Sequence, residues 1–159
     1  FQKIIGLDDS KKLSAVKRNE LFEEIKEKAM AVGIGIVKND IIDKINIQQA
    51  SFKAMKKALN EFNFEPDYLL VDGNKKIPEV NIPQKAIIDG DEKVNSIAAA
   101  SIIAKVTRDR IIEKYDKEYP VYGFKSNKGY GTKEHIDALK KYGPTPIHRY
   151  SYSVVNKHS

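Results

Sequence analysis

Two short apolar runs, Tyr68-Leu69-Leu70-Val71 and Ala86-Ile87-Ile88, each stop at an Asp-Gly step, and helical patterns lie on both sides of them. A brief apolar run that ends in turn residues reads as a buried strand. Before the first run, Ser14 is placed as an N-cap, and Leu21, Phe22, Ile25, Ala29 and Val32 recur on one helical face that stops at Gly33. A second helix follows from Ile47, Ala50, Ala54, Met55, Ala58, Leu59 and Phe62, ending ahead of Pro66. After the second run come a long helix over residues 96–115 and a short one over 132–141, capped by Thr132. Ile4-Ile5-Gly6-Leu7 reads as a strand end, Ile34, Ile36 and Val37 as a short strand, and residues 154–159 as a frayed tail. Strands alternating with helices predict an α/β fold with a mixed sheet flanked by helices.

Composition narrows the chemistry. The 159 residues are 41% hydrophobic, the size of one domain, and contain no cysteine. Disulfide frameworks, thiolate zinc, iron–sulfur clusters and thiol catalysis are therefore excluded. No apolar run approaches the roughly 18–20 residues of a membrane span. Without a signal-peptide pattern the expected compartment is the cytoplasm, with no membrane partner.

Net charge is +6, and its distribution is uneven. Residues 1–100 hold 16 basic and 16 acidic side chains, whereas residues 101–159 hold 12 and 6. Tyr122, Phe124, Tyr130, Tyr150 and Tyr152 are interleaved with that basic excess. Cations beside aromatic faces suit a nucleic acid, although a merely soluble basic surface has the same composition.

Asp72 and Asp91 are the most telling acidic pair, because each follows an apolar run and each has a glycine neighbour, Gly73 or Gly90. Two carboxylates at adjacent strand ends form a hard-oxygen site of the kind Mg²⁺ or Mn²⁺ prefers, suited to phosphoryl chemistry. Asp beside Gly is equally ordinary turn chemistry. His135 falls among exposed helix positions and is expected to be solvated, while His148, next to Arg149, is a candidate phosphate contact. Ser10, beside Lys11 and Lys12, reads as a phosphate contact or an exposed turn. Neither a Gly-x-Gly-x-x-Gly nor a P-loop pattern is present.

Several longer segments occur in one order along the chain. They are Gly6-Leu7-Asp8-Asp9-Ser10-Lys11-Lys12-Leu13-Ser14, Val71-Asp72-Gly73-Asn74, Gly90-Asp91, and the Ser/Ala-rich helix that ends Lys105-Val106-Thr107-Arg108-Asp109. Tyr122-Gly123-Phe124, Lys128-Gly129-Tyr130-Gly131-Thr132 and Gly143-Pro144-Thr145-Pro146-Ile147-His148-Arg149 follow. Together they resemble the type 2 ribonuclease H family, specifically bacterial ribonuclease HII, over essentially the whole chain.

That resemblance implies a ribonuclease H-like fold and a metal-dependent endoribonuclease. Such an enzyme cuts the RNA strand of RNA–DNA hybrids and nicks duplex DNA on the 5′ side of single ribonucleotides, using a water activated by Mg²⁺ or Mn²⁺. Its implied partners are the RNA–DNA hybrid and ribonucleotide-containing duplex DNA, in a DNA-repair setting. Asp72 and Asp91 fall on two of the family's four catalytic, metal-binding carboxylates. Tyr130 falls on the tyrosine that stacks on the deoxyribose after the ribonucleotide. Lys11, Lys12, Lys105, Arg108 and Arg149 are the expected phosphate contacts.

One part of the family pattern is missing. Its opening strand carries Asp-Glu-x-Gly-Arg-Gly, whereas the only Asp-Glu here is Asp91-Glu92. The chain is therefore expected to be one ribonuclease HII domain over residues 1–159, starting near the family's third strand. A complete enzyme is expected to be a monomer, and an uncovered sheet edge to invite association. Loss of half the metal ligands leaves an alternative open, a catalytically silent fragment that still binds hybrids.

Overall fold

A computed structural model of the chain describes residue 4 and residues 6–158. Its elements in order are helices α1 (Ala15–Lys28) and α2 (Asn39–Leu59), strands β1 (Leu69–Asp72) and β2 (Gln84–Ile87), and helices α3 (Gly90–Lys93) and α4 (Asn95–Glu118). A 3₁₀ turn at Pro120–Tyr122 leads to α5 (Phe124–Asn127), α6 (Lys133–Tyr142) and α7 (Ser153–Asn156). The class is α/β, as the alternation of runs predicts. Among the described residues the sheet is one parallel pair, with Leu69 opposite Gln84 and Asp72 opposite Ile87. Contacts divide the chain into two compact units: residues 1–36 with 52–106, and residues 37–51 with 107–159.

The core of the first unit joins α1 to the N-terminal half of α4. Leu21, Phe22 and Ile25 pack with Ile4, Ala99, Ile102, Ile103 and Val106. Leu21 and Ile102 are wholly withdrawn from water. Burial of each such side chain contributes roughly 1.5–3 kcal/mol. Ser14 caps α1 by accepting the Lys17 amide, as expected of a β-region serine before a helix. The helix ends at Lys28, one turn before Gly33.

Residues 34–37 depart from the sequence reading: they join no ladder. Gly33 and Gly35 instead lie flat against the second half of α2. A Cβ on Gly33 would come within 2.0 Å of the Ala58 carbonyl oxygen, and one on Gly35 within 1.8 Å of that of Ala54. Only a chain without side chains there fits so close to a helix backbone. The expected strand end at residues 4–7 is not found at residues 4, 6 and 7, and Ile5 lies outside the described residues.

Helix α2 also starts earlier than the hydrophobic period indicates. It contains a kink at Asn46, which takes φ 68° and uses its side-chain oxygen to accept the amides of Gln48 and Gln49. Asn46 thus ends one helical segment and caps the next, two roles that asparagine performs better than most residues.

The second unit is built around Tyr122, Phe124, Ala138, Leu139 and Val155, with Ile112, Tyr115, Tyr119 and Ile147 packed beside them. Thr132 caps α6 as expected, by accepting the His135 amide. Of the tail expected to fray, residues 154–156 belong to α7, because Val155 buries in this core, and Ser159 lies outside the described residues. Asp43 on α2 ties down the preceding loop by accepting the amides of Tyr150 and Ser151 at 2.8 and 3.0 Å. Among the described residues no helix is long and apolar enough to cross a membrane.

Candidate functional site

Strand β1 delivers Asp72 at its C-terminal end, and β2 leads through Ile88 and Asp89 to Gly90 and Asp91 in the first turn of α3. The parallel register sets these two ends side by side, and the Gly73 amide extends the ladder to the Ile87 carbonyl at 2.9 Å. The Gly90 amide donates to Asp72 Oδ1 at 2.9 Å. Gly90 suits this approach because a Cβ there would stand 2.6 Å from Ile97 Cδ1 and 3.2 Å from Asp72 Oδ1. The two sequence-predicted aspartates therefore converge. Both line an open cavity of about 300 Å³, together with Lys11, Gly73, Asn74, Ile88 and Asp89.

Asp91 is only 9% exposed, and among the described residues its carboxylate has no hydrogen-bond or ion-pair partner. That carboxylate faces the open cavity, where its oxygens remain available to a cation. Among the described residues no group of three or more His, Cys, Asp or Glu side chains is arranged to hold a metal ion. Two carboxylates nonetheless fit a small hard cation, which commonly takes one or two from the protein and its other oxygens from water and substrate phosphates. Asp89 is the residue that sequence reasoning missed here. It takes a left-handed conformation and lies 3.6 Å from Lys93.

The loop before α1 brings Lys11 to this cavity. Asp9 is buried and accepts the Lys11 amide at 2.9 Å, and Arg18 Nη1 donates to the Ser10 carbonyl at 2.8 Å. Ser10 is not the exposed phosphate contact expected of it. It is buried, and its hydroxyl lies 3.0 Å from that of Ser101 on α4, so it docks the loop on the helix. Lys12 pairs with Glu92 at 2.8 Å, and this contact raises its ammonium above the ordinary pKa. Lys105, half-buried, lies in the same unit on α4.

The remaining expected contacts belong to the second unit. Tyr130 is 57% exposed, and the Arg108 guanidinium stands over its ring at 4.8 Å. Arg149 covers the ring of Tyr152 at 3.7 Å. Stacked guanidinium–aromatic pairs keep cations beside exposed rings, where a nucleic acid could exchange for them.

Both histidine expectations need correction. His135 and His148 are each 6% exposed, and their Nε2 atoms are 3.0 Å apart. His135 faces inward because α6 turns it onto Tyr122 and Phe124, with ring centroids at 6.2 and 5.2 Å. His148 Nδ1 accepts the Thr145 amide at 2.9 Å, and its ring is turned away from any phosphate role. Burial, then the neighbouring His135, pushes the His148 pKa down to about 4. A polar pair at 13-residue spacing leaves no local pattern in sequence, so no periodicity argument finds it.

The family model for ribonuclease HII matches residues 1–155. The ribonuclease HII of Clostridioides difficile is 61% identical over 150 residues, covering 94% of this chain and 58% of that protein. That of Enterococcus faecalis is 55% identical over 152 residues, covering 96% of this chain and 59% of that protein. The chain thus spans less than two thirds of the length of these relatives. The crystal structure of the ribonuclease H2 from Pyrococcus horikoshii OT3 superposes with a TM-score of 0.73 at 27% identity, over 97% of this chain and 80% of that one.

Proposed function

The chain belongs to the ribonuclease HII family, and from that premise we propose that it carries part of an endoribonuclease site directed at RNA within DNA. The substrates are the RNA strand of an RNA–DNA hybrid and a duplex DNA with a single embedded ribonucleotide. The observation that carries this reading is the convergence of Asp72 and Asp91 on one cavity, with Asp72 held by the Gly90 amide.

In this reading Asp72 and Asp91 hold Mg²⁺ or Mn²⁺. When bound, the cation supplies charge stabilisation at the phosphoryl oxygens and a more acidic water. The chain's own residues do the rest. Gly90 fixes the orientation of the Asp72 carboxylate, and Lys11 meets backbone phosphate at the cavity wall. A water attacks phosphorus on the 5′ side of the ribonucleotide. The bond to the 3′-oxygen of the preceding nucleotide breaks, leaving a 3′-hydroxyl and a 5′-phosphate. Tyr130 stacks on the deoxyribose that follows the ribonucleotide, so the junction is read at the level of the sugar. Lys12, Lys105, Arg108 and Arg149 neutralise phosphates, Lys12 exchanging Glu92 for the nucleic acid.

The test is incision of a labelled DNA duplex containing one ribonucleotide, with Mg²⁺ or Mn²⁺. Incision that disappears in Asp72→Asn and in Asp91→Asn supports the assignment; incision that survives both overturns it. A second reading, hybrid binding without cleavage, is favoured by the two-carboxylate donor set. Salt-sensitive binding of the hybrid with no product in either metal would select it.

A further inference from the structure

The buried histidine pair lies one hydrogen bond from Tyr130. His135 Nδ1 is 2.9 Å from the Tyr130 carbonyl oxygen, and its Nε2 is 3.0 Å from His148 Nε2. The Thr145 amide can only donate, so His148 Nδ1 accepts it and carries no proton. The single proton of a neutral His148 therefore sits on Nε2 and points at His135 Nε2. That atom accepts, which leaves the His135 proton on Nδ1, aimed at the Tyr130 carbonyl. The Thr145 hydroxyl, 2.8 Å from the same unprotonated Nδ1, donates to it as well, and the direction runs Thr145, His148, His135, Tyr130.

We propose that His135 and His148 are positioning residues for Tyr130: a relay with fixed tautomers that anchors the tyrosine backbone and so sets the ring that the functional reading places at the RNA–DNA junction. The relay rests on that reading for its consequence, though not for its geometry. The segment it holds is short and needs holding. Lys128 and Gly129 before Tyr130 both take positive φ, at 51° and 77°. The Tyr130 ring itself is largely exposed, with the Arg108 guanidinium over it at 4.8 Å. Its carbonyl also accepts the Thr132 amide at 2.8 Å, and its amide donates to the Asn127 carbonyl at 2.9 Å. These bonds set the turn, and the imidazole ties the turn to the core of the second unit. The rings packed on the pair, Tyr122 and Phe124, bring no charge to it. Burial of His148 keeps that ring neutral at physiological pH, as the relay requires.

Two measurements on the full chain test this. Long-range ¹⁵N–¹H spectra of the histidine-labelled protein at neutral pH report which nitrogen of each ring is protonated. The expected result is Nε2–H for His148 and Nδ1–H for His135; the opposite tautomers, or a protonated imidazolium in either ring, overturn the relay. The second measurement is the ratio of dissociation constants for an all-DNA duplex and the same duplex with one ribonucleotide.

The variant is His135→Phe combined with His148→Phe, which keeps aromatic packing and leaves neither ring nitrogen orphaned. In it the ratio is expected to fall roughly two- to ten-fold, on the scale of one ordering hydrogen bond, while all-DNA binding is unchanged. Wild-type preference retained in the variant overturns the positioning role alone. A wild-type ratio of one overturns the junction reading of Tyr130 and the role with it, whatever the spectra show. If the double variant fails to fold, Thr145→Val, which removes the hydroxyl that lies 2.8 Å from His148 Nδ1 and keeps the amide, is read for the same ratio. A smaller fall there supports the relay, and none overturns it.

Discussion

The backbone amide of Gly90 donates to Asp72 Oδ1 at 2.9 Å, so the residue just before one acidic side chain holds the other in place. Strand register brings the chain segments together, and this bond sets the orientation of the carboxylate. The orientation of one carboxylate at the cavity therefore depends on a residue with no side chain.

Gly90→Ala is expected to disturb both sides of that bond. The new Cβ meets Ile97 Cδ1 at 2.6 Å, a flexible tip that can turn, and Asp72 Oδ1 at 3.2 Å, which must give. A loss of roughly 1–3 kcal/mol in stability, typical of overpacking, is the expected outcome in thermal unfolding. Weaker Mn²⁺ binding should accompany it, measured by calorimetry.

Leu21→Ala tests the core of the first unit. Leu21 has no exposed surface and packs on Ile102 and its neighbours. Urea unfolding should show a loss of roughly 2–5 kcal/mol, the range for a buried leucine that leaves a cavity. A loss well under that range would mean that α1 is not seated on α4.

The stability of the second unit should fall in mild acid. His148 has an ordinary pKa of 6.5, lowered to about 4 in the fold, so between these values the unfolded chain binds the extra proton. The contribution of this group is complete above about pH 6.5 and is lost as pH drops toward 4. At about 1.4 kcal/mol per pKa unit the loss amounts to roughly 2–4 kcal/mol. Unfolding free energies measured across this range check it, and the slope should lessen in His148→Phe.

Nucleic-acid binding should weaken steeply with salt. Lys11→Ala is expected to lower the slope of log affinity against log salt by about one, with equal effect on hybrid and all-DNA duplexes. Tyr130→Ala is expected to act selectively, weakening the ribonucleotide-containing duplex most.

Much of this fold is legible in the sequence because local rules agree there. Ser14 and Thr132 are caps by residue type and position, and both accept the amide expected of a cap. The runs that end at Asp72 and near Asp91 are strands because short apolar segments before Asp-Gly have few other uses. Residues 34–37 misled because β-branched residues look like a strand, while the glycines between them signal a helix lying too close for any ladder. The early start of α2 was hidden because Asn46 breaks the period that it then restarts. At the candidate site the aspartates were visible from their setting, whereas His135 and His148 were not. Their pairing depends on α6 and the following loop meeting in space, and no spacing in the chain encodes that meeting.

The central claim, that Asp72 and Asp91 hold a divalent cation between them, is tested most directly by adding Mn²⁺ to the ¹⁵N-labelled chain. Paramagnetic broadening should reach the amides of Gly73, Ile88 and Gly90 first, and should disappear when both aspartates are replaced by asparagine. Broadening centred on other acidic residues, with these three amides untouched, would contradict it.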